Sequence, residues 1–184
     1  MKKIIRKELI ALDIGNVCVC LNYDKCLETL GYDSSMIPLS FIHTINAYEC
    51  GKITTAEWLQ EFRKITENKF SNIELIKAYN IILGEEIAST RELVEKTVLG
   101  GGRVIFFSNI SEVHANHIFS SLSFSHLISG TIFSFQAKVQ KPHINIYKSF
   151  EKKYGKPTLY LDDKVENLQA ARTYNSWKVQ HITQ

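Results

Sequence analysis

Short, unbroken apolar stretches alternate along the chain with longer segments whose apolar residues recur every three to four positions. Stretches 9–13, 103–108, 128–133, 158–161 and 177–182 hold too few polar residues to alternate inside and out, and their lengths suit strands covered on both faces. Around most of them the spacing turns helical. Segment 89–99 precedes the second stretch, 111–122 follows it, and 142–154 and 164–174 fill the next two gaps. This alternation predicts an α/β core, a Rossmann-like parallel sheet with helices on both faces.

One gap breaks the rhythm. Between Asp13 and Ser89 the spacing is helical throughout, over 23–30, 39–48, 55–65 and 73–83, which predicts a small all-helical insertion after the first strand. Gly51 is placed to end one helix, and Thr54 with Glu57 has the spacing of a capping box opening the next, so 49–54 reads as a tight hairpin. The chain therefore divides into a core, 1–21 and 88–184, and an insertion, 22–87. Without a repeat, a low-complexity tract or a Pro/Gly-rich linker, the insertion is expected to pack on the core.

Composition narrows the function classes. At 184 residues, 45% hydrophobic and 22% charged, the chain suits one folded core with an insertion. The net charge of +3 comes from scattered lysines, so nucleic acid is not an expected partner. Cys18, Cys20, Cys26 and Cys50 show neither CxxC spacing nor a matching histidine cluster and read as reduced, mostly buried thiols. The amino terminus starts with Lys2 and Lys3, but Arg6, Lys7 and Glu8 interrupt its apolar residues before a signal-peptide core can form, and no later stretch reaches the roughly 18 apolar residues of a membrane span. A cytoplasmic location without a membrane partner is expected, and a monomer, since no association stripe is evident.

In an open parallel sheet, ligands bind in the crevice at the carboxyl ends of the strands. Polar residues collect at those ends. The first stretch runs into Asp13-Ile14-Gly15-Asn16-Val17, the second into Ser108-Asn109 and the fourth into Asp162-Asp163, while Lys141-Pro142 opens the helix after the third, with proline at the first helical position. Taken singly, each has a plain reading: a helix-capping Asp, a Ser-Asn turn, a surface lysine. Their joint placement at strand and crossover ends points to chemistry.

This set resembles the four motifs of the haloacid dehalogenase superfamily, in the same order and over nearly the whole chain. More narrowly, 12–17, Glu49-x-Gly51, Lys141-Pro142-His143-Ile144-Asn145-Ile146-Tyr147 and Asp162-Asp163 through Asn167 are similar to the bacterial sugar-phosphate phosphatases related to the epoxide hydrolase amino-terminal domain. The resemblance implies that the insertion is a helical cap and that the protein is a magnesium-dependent phosphatase of a small phosphorylated metabolite, working through an aspartyl phosphate. It implies Asp13 as nucleophile, with Ser108 and Lys141 as the other catalytic residues and Gly15, Asn16 and Asn109 as substrate-binding residues. Magnesium would sit on Asp13, the Gly15 carbonyl and Asp163, with Asp162 and Asn167 behind them or as alternative ligands. Physical reasoning agrees, because a carboxylate can attack phosphorus only when its repulsion from a phosphate dianion is neutralised, and magnesium prefers such oxygen ligands. No catalytic role is expected for His114, His117, His126 or His143. Tyr23, Tyr48, Glu49, Lys52 and Trp58 are candidate substrate contacts from the insertion.

Gly15 departs from the pattern. Most phosphatases of the superfamily carry there a second Asp that protonates the leaving group, and losing a positioned acid costs about 100- to 10,000-fold in rate. The proton must then come from solvent, substrate or another side chain, and readily leaving anomeric or acyl phosphates are favoured. Haloacid dehalogenases also lack that Asp but need no metal and typically lack an Asp-Asp pair. A non-catalytic relative that binds a phosphorylated ligand or a protein partner is the other alternative.

Overall fold

A computed structural model describes residues 7–33 and 37–183. Lys2, Lys3 and Arg6, on which part of the amino-terminal reading rests, lie outside the described residues. The chain runs β1 (Leu9–Leu12), β2 (Val19–Leu21), α1 (Tyr23–Thr29), α2 (Leu39–Glu49), α3 (Thr55–Ile65), α4 (Asn72–Asn80), β3 (Leu83–Glu86), α5 (Ala88–Leu99), β4 (Arg103–Ser108), α6 (Glu112–Ser121), β5 (Gly130–Phe133), α7 (Ser134–Ala137), α8 (Ile144–Tyr154), β6 (Leu159–Asp162), α9 (Val165–Asn175) and β7 (Val179–His181).

A five-stranded sheet has the order β5-β4-β1-β6-β7, and every pairing in it is parallel. The reason the strands are apolar throughout is visible in their two faces. Ile10 and Leu12 of β1 with Val104 and Phe106 of β4 meet Val94 of α5 and Ile118 of α6. The alternate residues Leu9, Ala11, Ile105 and Phe107 meet Ile146, Tyr147 and Phe150 of α8 and Leu168 of α9 on the opposite face. Side chains alternate across a strand, so a sheet buried twice leaves no position for a polar residue until the strand ends.

The insertion packs on a third apolar cluster of its own. Trp58 of α3 is fully buried between Tyr48, stacked at 4.9 Å between centroids, and Tyr79, at 4.6 Å. The Thr54–Glu57 capping box opens α3 as expected, and Ser71 with Glu74 forms another at α4. Gly51 follows the carboxyl end of α2 with φ +64°, where a Cβ would lie 2.1 Å from the Phe135 carbonyl oxygen.

Two local features differ from the sequence reading. The helical insertion is closed by an antiparallel ribbon, β2 with β3, in which Val19 faces Glu86 and Leu21 faces Leu83. Pro142 lies ahead of α8 and not within it, because the His143 ring takes the capping role, its Nδ1 accepting from the Asn145 N–H at 3.2 Å.

Candidate active site

The central position of β1 determines what meets at the sheet's carboxyl edge. Leu12 pairs with Phe106 on one side and Leu161 on the other, so the next residue along β1, Asp13, emerges beside Asp162 and close to Ser108. The backbone N–H of Asp13 still donates to the Leu161 carbonyl at 3.0 Å. Beyond it the chain turns tightly, with Ile14 accepting from the N–H groups of Val17, Cys18 and Val19, and Asn16 takes φ +52°, a region that asparagine enters more readily than most side chains.

Lys141 reaches into this edge from the segment before α8. Its Nζ lies 3.0 Å from Asp13 Oδ1 and 2.6 Å from Asp162 Oδ2, and it donates to the Phe107 carbonyl at 2.8 Å. The Lys141 side chain is 1% exposed, so these groups are its solvent. Burial pushes the ammonium down, but the two carboxylates outweigh it and hold the pKa above the ordinary lysine value. Burial pushes the Asp13 carboxyl up to about 6, against the pull of Lys141, with Asp162 adding to the rise. Asp162 is held below its ordinary value: burial works against its charge, but Lys141, the Tyr160 hydroxyl and the Lys164 N–H all favour the carboxylate.

The remaining residues fix this arrangement. Asn109 makes a reciprocal pair with the Lys141 backbone, its Nδ2 donating to the carbonyl at 2.9 Å and its Oδ1 accepting from the N–H at 2.8 Å. Its side chain therefore holds the lysine segment in place. Asn167 Nδ2 donates to both oxygens of Asp162, at 3.0 and 3.2 Å. Asn16 Nδ2 donates to Asp163 Oδ2 at 3.0 Å while its Oδ1 accepts from the Leu21 N–H, tying the loop after β1 to the loop after β6. One ligand oxygen from each of Asp13, Asp162 and Asp163 falls within a 4.8 Å cluster. Asp13, Gly15, Asn16, Ser108, Asn109, Lys141 and Asp163 all line one cavity of about 370 Å³; Asp162 lies beneath it, fully buried.

No protein-family model matches the chain, and no curated protein is significantly similar to it. Solved structures are. A HAD family enzyme from Bacteroides thetaiotaomicron superposes with a TM-score of 0.83 at 21% identity, covering 95% of this chain and 92% of that one. That enzyme in complex with magnesium and inorganic phosphate superposes at 0.80, with 20% identity and coverage of 95% and 93%. The L-2-haloacid dehalogenase from Xanthobacter autotrophicus reaches 0.67 at 10% identity, with coverage of 96% and 77%. The chain has the haloacid dehalogenase-like fold.

In this haloacid dehalogenase-like fold the sequence-predicted residues converge from four separate strand or crossover ends, and the insertion stands over them. It contributes Asn46 and Glu49 from α2 and Tyr23 from α1 to the cavity wall. Of the candidate contacts, Tyr48 and Trp58 belong to the insertion's own core and Lys52 is exposed away from the cavity, whereas Tyr23 and Glu49 face it. Asn46 was not singled out from sequence, although it stands three residues before Glu49 and so on the same helix face. Among the four histidines, His114 alone lines a space beside the site, a narrow apolar cavity of about 90 Å³ that also includes Glu49. It stacks on Tyr79 at 3.8 Å and donates from Nε2 to the Tyr79 carbonyl at 2.9 Å, and burial pushes its pKa down to about 4.

Proposed function

We propose that this protein is a magnesium-dependent phosphatase that hydrolyses a small phosphorylated metabolite, a sugar phosphate being the favoured class, through an aspartyl-phosphate intermediate on Asp13. The observation that carries the reading is the charge balance of the cavity floor. Asp13, Asp162 and Asp163 present three carboxylates to one buried ammonium, Lys141. An excess of negative charge in such a place repels a phosphate dianion unless a cation joins it.

The donor set fits a hard divalent cation. Asp13 and Asp163 offer carboxylate oxygens at the cavity surface, Gly15 lines the same wall, and Asp162 is engaged by Lys141, Tyr160, Lys164 and Asn167 and so acts from behind. Magnesium bound there would offset charge on the phosphoryl oxygens. The chain supplies the rest. Asp13 attacks phosphorus; Lys141 beside it compensates the charge on the non-bridging oxygens; Ser108 and the N–H groups of the loops after β1 and β4 bind those oxygens as they gain charge. The magnesium and phosphate complex of the Bacteroides enzyme supports this reading. The cavity volume suits a small metabolite. A dehalogenase, which needs no metal, would leave three carboxylates against one buried ammonium, the second lysine of the cavity wall, Lys164, being exposed and in no ion pair with them.

The test is phosphate release from a panel of phosphorylated metabolites with added magnesium, for the parent and for Asp13→Asn. The parent should turn over one class of sugar phosphate and stop in chelator. Asp13→Asn should remain folded and fall to background. Full turnover in excess chelator, or by Asp13→Asn, would sink the mechanism.

A further inference from the structure

Ester cleavage at phosphorus needs a proton for the departing oxygen, and the position two past Asp13 is Gly15, which has none to give. The cavity wall offers few alternatives. Lys141 is committed to two carboxylates and a carbonyl, and Asp162 is buried beneath the floor in hydrogen bonds. Asp163 belongs to the proposed cation site, and Lys164, which also lines this wall, carries an exposed ammonium, a weaker acid than a carboxyl. His114 is neutral and its Nε2 proton is given to the Tyr79 carbonyl. The Tyr23 and Tyr79 phenols are held above their ordinary values, by loss of water first and by the Glu49 charge next, and give up protons less readily than a carboxyl.

Glu49 remains. It lines both the polar cavity over Asp13 and the adjoining apolar one, at the boundary between the two. The residues around it fix its backbone and leave its carboxyl free to act. The Ser134 hydroxyl donates to the Glu49 carbonyl at 2.6 Å, the Lys138 ammonium donates to the Gly51 carbonyl at 2.5 Å, and the Tyr48 hydroxyl accepts from the Val113 N–H at 3.2 Å. Three contacts, at Tyr48, Glu49 and Gly51, thus pin the end of α2 to the core. The carboxyl itself makes no hydrogen bond or ion pair among the described residues; its surroundings act on it only through burial and the more distant charges of Lys164 and Asp13.

We propose that Glu49 is the general acid and base of the phosphatase reaction, replacing the carboxyl missing at Gly15. The assignment rests on the phosphatase reading. In the first step Asp13 forms a bond to phosphorus, the bond from phosphorus to the leaving oxygen breaks, and the Glu49 carboxyl gives its proton to that oxygen. In the second, a water forms a bond to phosphorus and passes a proton to the Glu49 carboxylate, and the Asp13 carboxylate leaves. Glu49 ends protonated, as it began. Burial pushes its pKa up to about 7, Lys164 opposing and Asp13 reinforcing the rise, so both forms are populated near neutral pH, as such a role requires.

The experiment compares parent, Glu49→Gln and Glu49→Asp with magnesium on p-nitrophenyl phosphate and on alkyl phosphates of similar size, across pH 5 to 9. Glu49→Gln should lose roughly 100- to 10,000-fold on alkyl phosphates but less than about tenfold in the first step on p-nitrophenyl phosphate. Its second step should slow, so p-nitrophenol should appear in a burst of one equivalent per chain. The alkaline fall of kcat/KM near pH 7 should vanish in Glu49→Gln and persist in Glu49→Asp. Equal losses on both substrates, with the alkaline limb and no burst, would overturn the assignment while leaving the phosphatase reading intact. Absence of turnover by the parent on every substrate would overturn both.

Discussion

Replacing Lys141 with methionine tests the buried charge arrangement directly. The ammonium bridges Asp13 and Asp162 at 3.0 and 2.6 Å, and the side chains involved are at most 9% exposed. Methionine keeps much of the stem but leaves two carboxyl groups facing each other without a counter-charge. Removing one partner of a buried pair costs about 3–5 kcal/mol. At about 2–4 °C per kcal/mol for a chain of this size, Tm should fall by roughly 6–20 °C at neutral pH, measured in chelator. The pH dependence gives the sharper readout. In the parent, the depressed Asp162 pKa contributes stability that is present above the ordinary carboxylate range and lost as pH falls through the folded value, while the raised Asp13 pKa already takes stability away as pH rises from that range through about 6. In the variant both carboxyls have raised folded values, so the folded state binds more protons than the unfolded one and its stability falls as pH rises. The two melting curves should converge toward about pH 4, near the ordinary carboxylate value. Adding Asp162→Asn to Lys141→Met should recover part of the loss. A deficit below about 1 kcal/mol, or one that does not change with pH, would refute this account of the site.

Two further predictions follow from the loop after β1. A Cβ at Gly15 would come closest to Leu21 Cδ1, at 2.7 Å, the movable end of a flexible side chain, so Gly15→Asp should fold; it should rescue alkyl-phosphate turnover in Glu49→Gln at least tenfold, whereas no rescue in a folded double variant would show that an acid cannot act from there. Asn16→Gly keeps the positive φ accessible but removes the hydrogen bond that orients Asp163, and metal-titrated activity should show magnesium affinity falling by about 10- to 100-fold; an unchanged titration would remove Asp163 from the cation site.

The core was legible because a sheet covered twice demands unbroken apolar runs, as in Val104 to Phe107, and because the first polar residue after such a run marks its edge. That logic found Asp13, Ser108 and Asp162, and the helical spacing found α1 to α4. The β2–β3 ribbon escaped it. Val19 to Leu21 is too short to show a period, and its partner contains Gly84, Glu85 and Glu86, whose pairing is set by where the insertion leaves and rejoins the core. Pro142 suggested a helix start because the capping action of the His143 ring cannot be read from residue type alone. Glu49 was visible as a motif residue, but what separates it from Tyr48 is a helix end pinned by distant Ser134 and Lys138, a relation between segments that only the folded chain displays.

Ser134 has one hydroxyl proton and two carbonyls within reach, Glu49 at 2.6 Å and Ile110 at 3.3 Å, while its oxygen also accepts from the Ile110 N–H. A hydroxyl can serve only one acceptor at a time but rotates freely to choose it. If the insertion lifts from the core, the proton can turn from Glu49 to Ile110 and no buried donor is stranded. The Ser134 contact, one of the three that hold the end of α2, is therefore one that can be exchanged at little cost. Opening of the cavity at this seam would also have to release the Lys138 and Tyr48 contacts, but none of the three involves the strand ends that hold Asp13 and Lys141.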